Sequence, residues 1–308
     1  MNPSLLVCLA LISASNTEPP LAAVKTSEIH VRDPFVLPVK AEGQYYIYGT
    51  MGPGRGFYSY RSKDLENWEG PLTVFKAAKD FWATHNYWAP EVHFYKDRYY
   101  MFASFKAHGV MRGTQILVAD KPEGPFAPLT EKPVTPSDWE CLDGTLYVDP
   151  DGTPWIVFCH EWVQVGDGEI CAMKLTPDLK SAAGKPVLLF KAHDAKWVDS
   201  FEKGKGSYVT DGPFLWRTKS GDLLMLWSSF HKGDYATGVA KSKSGKIDGP
   251  WVLEEEPLGV KDAGHSMIFR TFDGKLMLSL HQPNKANRER PAFLPLKETD
   301  GRMELAVE

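Results

Sequence analysis

Residues 31–50 read VRDPFVLPVKAEGQYYIYGT. An acid beside a proline (Asp33, Pro34) opens the stretch, a polar turn around Gly43 divides it, and an alternating aromatic run closes it. Alternation with a period of two marks a half-buried strand, and the turn between two such runs makes a hairpin. The same unit returns as APEVHFYKDRYYMFAS (89–104), DGTLYVDPDGTPWIVFCH (143–160), DGPFLWRTKSGDLLMLWS (211–228) and HSMIFRTFDGKLMLSLH (265–281). The turn residues Gly43, Asp97, Gly152, Gly221 and Gly274 lie about 54, 55, 69 and 53 residues apart. A period of that size belongs to repeat architectures. Each repeat holds one hairpin and room for a second, so the expectation is an all-β fold, a five-bladed β-propeller of four-stranded blades.

A second periodic signal runs in phase with the first. ENWEGP (66–71), KPEGPF (121–126) and KIDGPW (246–251) each follow a hairpin at a similar distance and read as turns into an outer strand. Residues 22–31 read as a strand that pairs with the last blade and closes the ring, because an open ring leaves exposed edges.

The chain has 308 residues, a net charge of −4 and 43% hydrophobic residues, which suits one globular domain over 22–308. No basic stripe suggests nucleic acid. Residues 1–21 resemble a secretory leader: Leu5–Ile12 is apolar, small residues follow at Ser13–Ser15, and the basic start of such leaders is missing. Export is therefore expected, with no membrane span elsewhere and a monomeric protein. Of four cysteines, Cys8 falls in the leader, and a Cys159–Cys171 pair stays open. The 38 aromatic residues (10 Trp, 12 Tyr, 16 Phe) exceed what blade cores need, and rings in a cleft suit sugar faces. The aromatic connection 76–90, with Phe81, Trp82, Tyr87 and Trp88, reads as a ligand-contact loop.

Asp33, Glu91 (displaced by about two), Asp143, Asp211 and His265 open the five inner strands. In a propeller these strand starts converge on the axis. Clustered acids separate in proton affinity, so one site can supply both an acid and a base. Glycoside hydrolysis needs that pair.

At these residues the chain resembles glycoside hydrolase family 43. RDPF (32–35), WAPEV (88–92), LDGTLYVDPDG (142–152), DGPFLW (211–216) and GHSMIF (264–269) follow that family's order and spacing. The resemblance covers nearly everything after residue 28. It implies inverting hydrolysis of arabinofuranosyl, xylosyl or galactosyl linkages of plant cell-wall saccharides, and the leading expectation is an exo-acting enzyme. Asp33 matches the general base and Asp143 the acid that tunes its neighbour. His265 matches a histidine that helps hold an axial Ca²⁺ or Na⁺ through water, with no organic cofactor. Trp88, Glu91 and Arg290 are the expected substrate contacts. One departure matters: the family's general acid is a Glu before Gly-Pro, and here Asp211 stands there. Three readings follow: the shorter Asp211 acts, Glu161 replaces it, or the protein is a carbohydrate-binding propeller without turnover. A sucrose- or fructan-acting relative fits these motifs less well.

Overall fold

The structure is a computed structural model and describes residues 23–52, 54–202 and 205–306. The expected leader and Cys8 lie outside the described residues. Five antiparallel sheets follow one another along the chain as five blades. Blade 1 comprises Arg32–Val39, Gln44–Thr50, Gly56–Ser62 and Asn67–Lys76, with Ala23–Lys25 as a fifth strand. Blade 2 comprises His85–Tyr95, Arg98–Ala107, Val110–Ala119 and Ala127–Pro128. Blade 3 comprises Cys141–Val148, Pro154–His160, Glu169–Lys174 and Val187–Lys191. Blade 4 runs through Asp211–Arg217, Leu223–His231, Asp234–Ser242 and Trp251–Leu253, and blade 5 through Gly264–Arg270, Leu276–Gln282, Arg290–Thr299 and Arg302–Leu305. Within each blade these four strands pair in sequence order.

Three details differ from the sequence expectation. Ala23–Lys25 pairs with Asn67–Glu69 at the outer edge of blade 1, not with the last blade. Blade 5 already has four strands of its own, so closure falls to bonds between blades. Ser279 Oγ donates to the Pro34 carbonyl (2.9 Å) and the Phe272 amide donates to Tyr45 Oη (2.7 Å). The segment 189–207 is not all connector, since Val187–Lys191 forms the outer strand of blade 3. In blade 1, Gly70-Pro71 sits inside the outer strand at an irregularity of pairing; in blades 2 and 4 the corresponding pair precedes the outer strand.

The blades hold together through apolar faces. Phe57, Phe75, Phe81, Tyr87 and Phe105 interlock between blades 1 and 2, with ring centroids 5.1–6.2 Å apart. Edge-to-face pairs of this kind add about 0.5–1.5 kcal/mol each beyond area burial. Phe81 and Tyr87, expected as ligand contacts, are thus largely packing residues. Cys141, Cys159 and Cys171 are free and buried. Cys159 faces Ile170 and Cys171 faces Phe158 across adjacent strands. Neighbouring positions point to opposite faces, so the two thiols enter different interblade cores and cannot pair.

Candidate active site

Every inner strand carries the same irregularity at its start. Pairing skips in register after Arg32, Trp88, Leu142, Asp211 and Gly264, so that two residues oppose one on the next strand. These are β-bulges, which re-aim side chains. The first bulged residue is left-handed in all five blades: Asp33 (φ 58°), Ala89 (43°), Asp143 (55°), Gly212 (50°) and His265 (52°). Such a conformation costs a side-chain-bearing residue about 1–2 kcal/mol, and neighbouring hydrogen bonds hold it. The Asp33 amide donates to His281 Nδ1 (3.2 Å), the Asp143 amide to Ser104 Oγ (2.9 Å), and the His265 amide to Ser228 Oγ (2.8 Å).

The bulges put successive side chains into one place, where a regular strand would alternate them. Arg32 with Asp33 and Leu142 with Asp143 line a single cavity of about 350 Å³, joined by Trp88, Asp211 and His265. Glu161, Trp162, Phe201 and Phe230 complete much of its wall. The structure therefore brings Asp33, Asp143, Asp211, Trp88 and His265 together. It places two expected substrate contacts elsewhere. Glu91 follows the bulge of blade 2, where Ala89 holds the equivalent position, and its buried carboxylate meets His93 Nε2 at 3.1 Å. Arg290 donates to the Ser27 carbonyl (2.8 Å) and lies 2.8 Å from both ring nitrogens of His30, and it does not line the cavity.

The three aspartates have contrasting surroundings. Thr50 Oγ1 donates to Asp33 Oδ2 (2.8 Å) and itself accepts the Ala89 amide (2.8 Å). Asp33 Oδ1 lies 3.1 Å from His265 Nδ1 and 3.5 Å from Arg32 Nε, with no donor aligned on it as a hydrogen bond. Burial alone would raise the Asp33 carboxyl, but the adjacent His265 and Arg32 cations outweigh it and hold Asp33 well below the ordinary range. Asp143 goes the other way: burial lifts it to about 7, with His265 opposing and the charges of Asp211 and Asp33 adding. Burial also raises Asp211, against Arg32, His265 and a 2.9 Å bond from Tyr235 Oη. Asp143 Oδ2 accepts the Gly212 amide (3.0 Å), which ties blade 3 to the backbone beside Asp211.

The histidines divide the charge. Burial opposes protonation of His265, but Asp33 and Asp143 lift it to about 10, so it is a cation at neutral pH. His281 accepts at Nδ1 and lies 3.2 Å from Asn284 Oδ1 through Nε2. Burial lowers it to about 4, so the ring is neutral despite lying 3.7 Å from Asp33. His265 Nε2 is buried without a partner. With the ring neutral that atom fits the water of an axial ion, and the ion's charge then replaces that of the imidazolium beside Asp33. Among the described residues no group of three or more His, Cys, Asp or Glu side chains forms a metal cluster, so water would supply the remaining ligands.

Glu161 lines the cavity but its carboxylate is ion-paired with Arg112, whose guanidinium also lies 4.6 Å from the Trp88 ring centroid. Sequence reading passed over Arg32, Thr50, Tyr235 and Arg112. Arg32 and Thr50 had a signal, since one directly precedes Asp33 and the other closes the same hairpin; Tyr235 and Arg112 reach the site from third strands that carry no motif.

The family described as "Glycosyl hydrolases family 43" matches residues 26–299. A solved structure, an endo-arabinase from Bacteroides thetaiotaomicron VPI-5482, is 46% identical with a TM-score of 0.87, over 92% of this chain and 100% of that one. The extracellular endo-alpha-(1->5)-L-arabinanase 1 of Bacillus subtilis (strain 168) is 26% identical over 48% of this chain and 50% of its own. The alpha-L-arabinofuranosidase 43 of Humicola insolens is 23% identical over 76% of this chain and 50% of its own. The chain thus spans about half the length of these last two proteins.

Proposed function

The chain belongs to glycosyl hydrolase family 43, and on that premise we propose that it hydrolyses arabinofuranosyl linkages within arabinan chains, with inversion at the anomeric carbon. The observation that carries the reading is one cavity holding a carboxyl kept ionised (Asp33) and two kept toward the protonated form (Asp143, Asp211). Asp33 takes a proton from water as the water oxygen bonds to the anomeric carbon. Asp211 gives a proton to the glycosidic oxygen as that bond breaks. Asp143, also held toward the protonated form, shares its proton equilibrium with Asp211 and anchors the Gly212 amide. Trp88 offers a ring face to the sugar. The choice of arabinan, and of internal cleavage over the exo action expected from sequence, is supported by the similarity to the two endo-acting proteins. Xylosyl and galactosyl linkages are the competing substrates.

An axial Ca²⁺ or Na⁺ would be held through water by His265 with its ring neutral, and would then supply, in place of the imidazolium, the positive charge beside the base. EDTA is expected to lower activity, with the loss reversed by added Ca²⁺; no effect would remove a divalent ion from the proposal. Export rests on the apolar run 5–12 and on the extracellular B. subtilis relative. No helix among the described residues is long and apolar enough to cross a membrane.

The decisive experiment follows pure protein acting on linear arabinan, xylan and galactan, with product size by chromatography and product anomer by NMR. Arabino-oligosaccharides of mixed length with inverted configuration are expected. Binding without turnover would instead establish the carbohydrate-binding reading, for which the short Asp211 is the motive.

A further inference from the structure

We propose that a depression beside the catalytic cavity, between Trp82 and Met111, is a distal binding site for the polysaccharide chain. It measures about 320 Å³ and is lined by Trp82, Val110, Met111, Arg112, Pro133 and Pro136, among others. The proposal rests on the arabinan reading above, because it names where further sugar residues of that polymer lie.

Topology puts the depression on the face where the cavity opens. The first strand of blade 2 starts at His85, which pairs with Lys106 near the end of the second strand. Val110–Arg112 begin the third strand just after the turn at His108 and Gly109, and Trp82 lies three residues before His85. Thr135 and Pro136 lie in the connection to blade 3, whose first strand brings Asp143 to the cavity. Arg112 is the shared wall. It lines the depression, while its guanidinium covers Trp88 and pairs with Glu161, and both of those line the catalytic cavity. A chain leaving the cavity over Trp88 meets this depression next.

The lining suits an uncharged sugar. Val110 and Met111 are 46% and 41% exposed, high for apolar side chains at a concave surface. Trp82 is half-buried, and its Nε1 donates to Gln115 Oε1 at 2.6 Å. That bond satisfies the indole's one donor and fixes the ring, leaving apolar surface at the depression. Sugar rings present C–H faces to such surface and hydroxyls to a polar rim, here Lys132 and Ser137. Trp82 also borders a second depression along the outer strand of blade 2, about 740 Å³ in volume, so the path continues outward.

The test compares wild type, Trp82→Ala and Met111→Asp on arabino-oligosaccharides from disaccharide to octasaccharide and on an aryl arabinofuranoside. Met111 is exposed, so its replacement spares the core. For wild type, kcat/KM is expected to rise with length. Both variants are expected to lose about 3- to 10-fold on the longest substrates, mainly in KM, and nothing on the aryl glycoside. Absence of length dependence in wild type, or equal losses at every length, overturns the site. A change of oligomeric state in Met111→Asp without the length effect assigns the patch to a second copy and overturns it too. If arabinan is not hydrolysed at all, the arabinan reading fails separately. The site is then judged by electrophoresis of Asp33→Asn protein through gels holding arabinan, xylan or galactan. Retardation that Met111→Asp abolishes supports it, and unchanged or absent retardation overturns it.

Discussion

The inner strands of blades 3 and 4 both carry Asp-Gly near their start, and each brings a carboxylate to the same cavity by a different backbone route. In blade 3 the aspartate itself is the left-handed bulge residue (Asp143, φ 55°) and Gly144 follows. In blade 4 the glycine takes the left-handed conformation (Gly212, φ 50°), and Asp211 stays on the ladder opposite Ser228. Asp211 is therefore the counterpart of Arg32 and Trp88, while Asp143 is the counterpart of Asp33 and His265. The consequence is chemical. Asp143 faces the charged His265 and holds a backbone amide, whereas Asp211 stands at the wall with a tyrosine behind it. One dipeptide thus yields a tuning acid at one register and a candidate proton donor at the next.

The largest expected effect belongs to the bulge set. Asp33→Asn keeps the shape of the side chain but cannot take a proton from water. Turnover is expected to fall about 10²- to 10⁴-fold; the variant still folds, with a lowered melting temperature because His265 and Arg32 lose their buried anion. Activity near wild type in that variant would take Asp33 out of the base role and dissolve the equivalence of Asp33 with Asp143 as site residues.

The second test separates the two Asp-Gly acids directly. Asp211→Ala is expected to lose about 10²-fold or more on arabino-oligosaccharides and far less on aryl glycosides with acidic phenols, which leave without protonation. Asp143→Asn is expected to show the same preference for aryl glycosides in weaker form, because it shifts the proton affinity of the donor without removing the donor. Equal sensitivity of Asp211→Ala to both substrates would exclude Asp211, and Glu161→Gln would be the next variant.

The pH profile sharpens the same contrast. The donor must be protonated, so activity falls as pH rises through the affinity that Asp211 and Asp143 share, which burial raises above the ordinary carboxylate range and, for Asp143, to about 7. Asp143→Asn leaves Asp211 to titrate without its carboxyl partner, and the alkaline limb of kcat/KM is expected to move to lower pH, from about 7 toward the range of Asp211 alone. A limb that stays put would uncouple the two blades.

The smallest effect concerns the backbone. A methyl group on Gly212 would sit 2.8 Å from the His265 ring at a φ of +50°. Gly212→Ala is expected to cost about 1–3 kcal/mol by denaturant unfolding. The matching change at Gly144 meets Thr114 at 2.6 Å instead and leaves His265 alone. Both should destabilise, and the Gly212 variant should lose more activity; the reverse order would contradict the bulge assignment.

The sequence by itself determined the five hairpins, and with them the propeller, because alternation and turn residues are local signals repeated at a long period. It also determined which motifs reach the axis, and Asp33, Asp143, Asp211, Trp88 and His265 do share a cavity. Their phase was partly legible too. Pro34, Pro90 and Pro213 each follow the left-handed residue, as befits a bulge position whose missing N–H leaves no ladder bond to satisfy. Alignment on those prolines, in place of the acids, puts Ala89 and Gly212 in phase with Asp33 and Asp211 one step earlier. Only the tertiary structure decided the rest. Glu91 and Arg290 carry suitable chemistry but spend it on His93, His30 and the Ser27 carbonyl. Tyr235 and His281 set the charge and hydrogen bonding around Asp33 and Asp211 from strands distant in sequence, beside Arg32 and Thr50 of the first hairpin. Proton affinity in a buried cluster is a sum over neighbours in space, and no spacing along the chain encodes that sum.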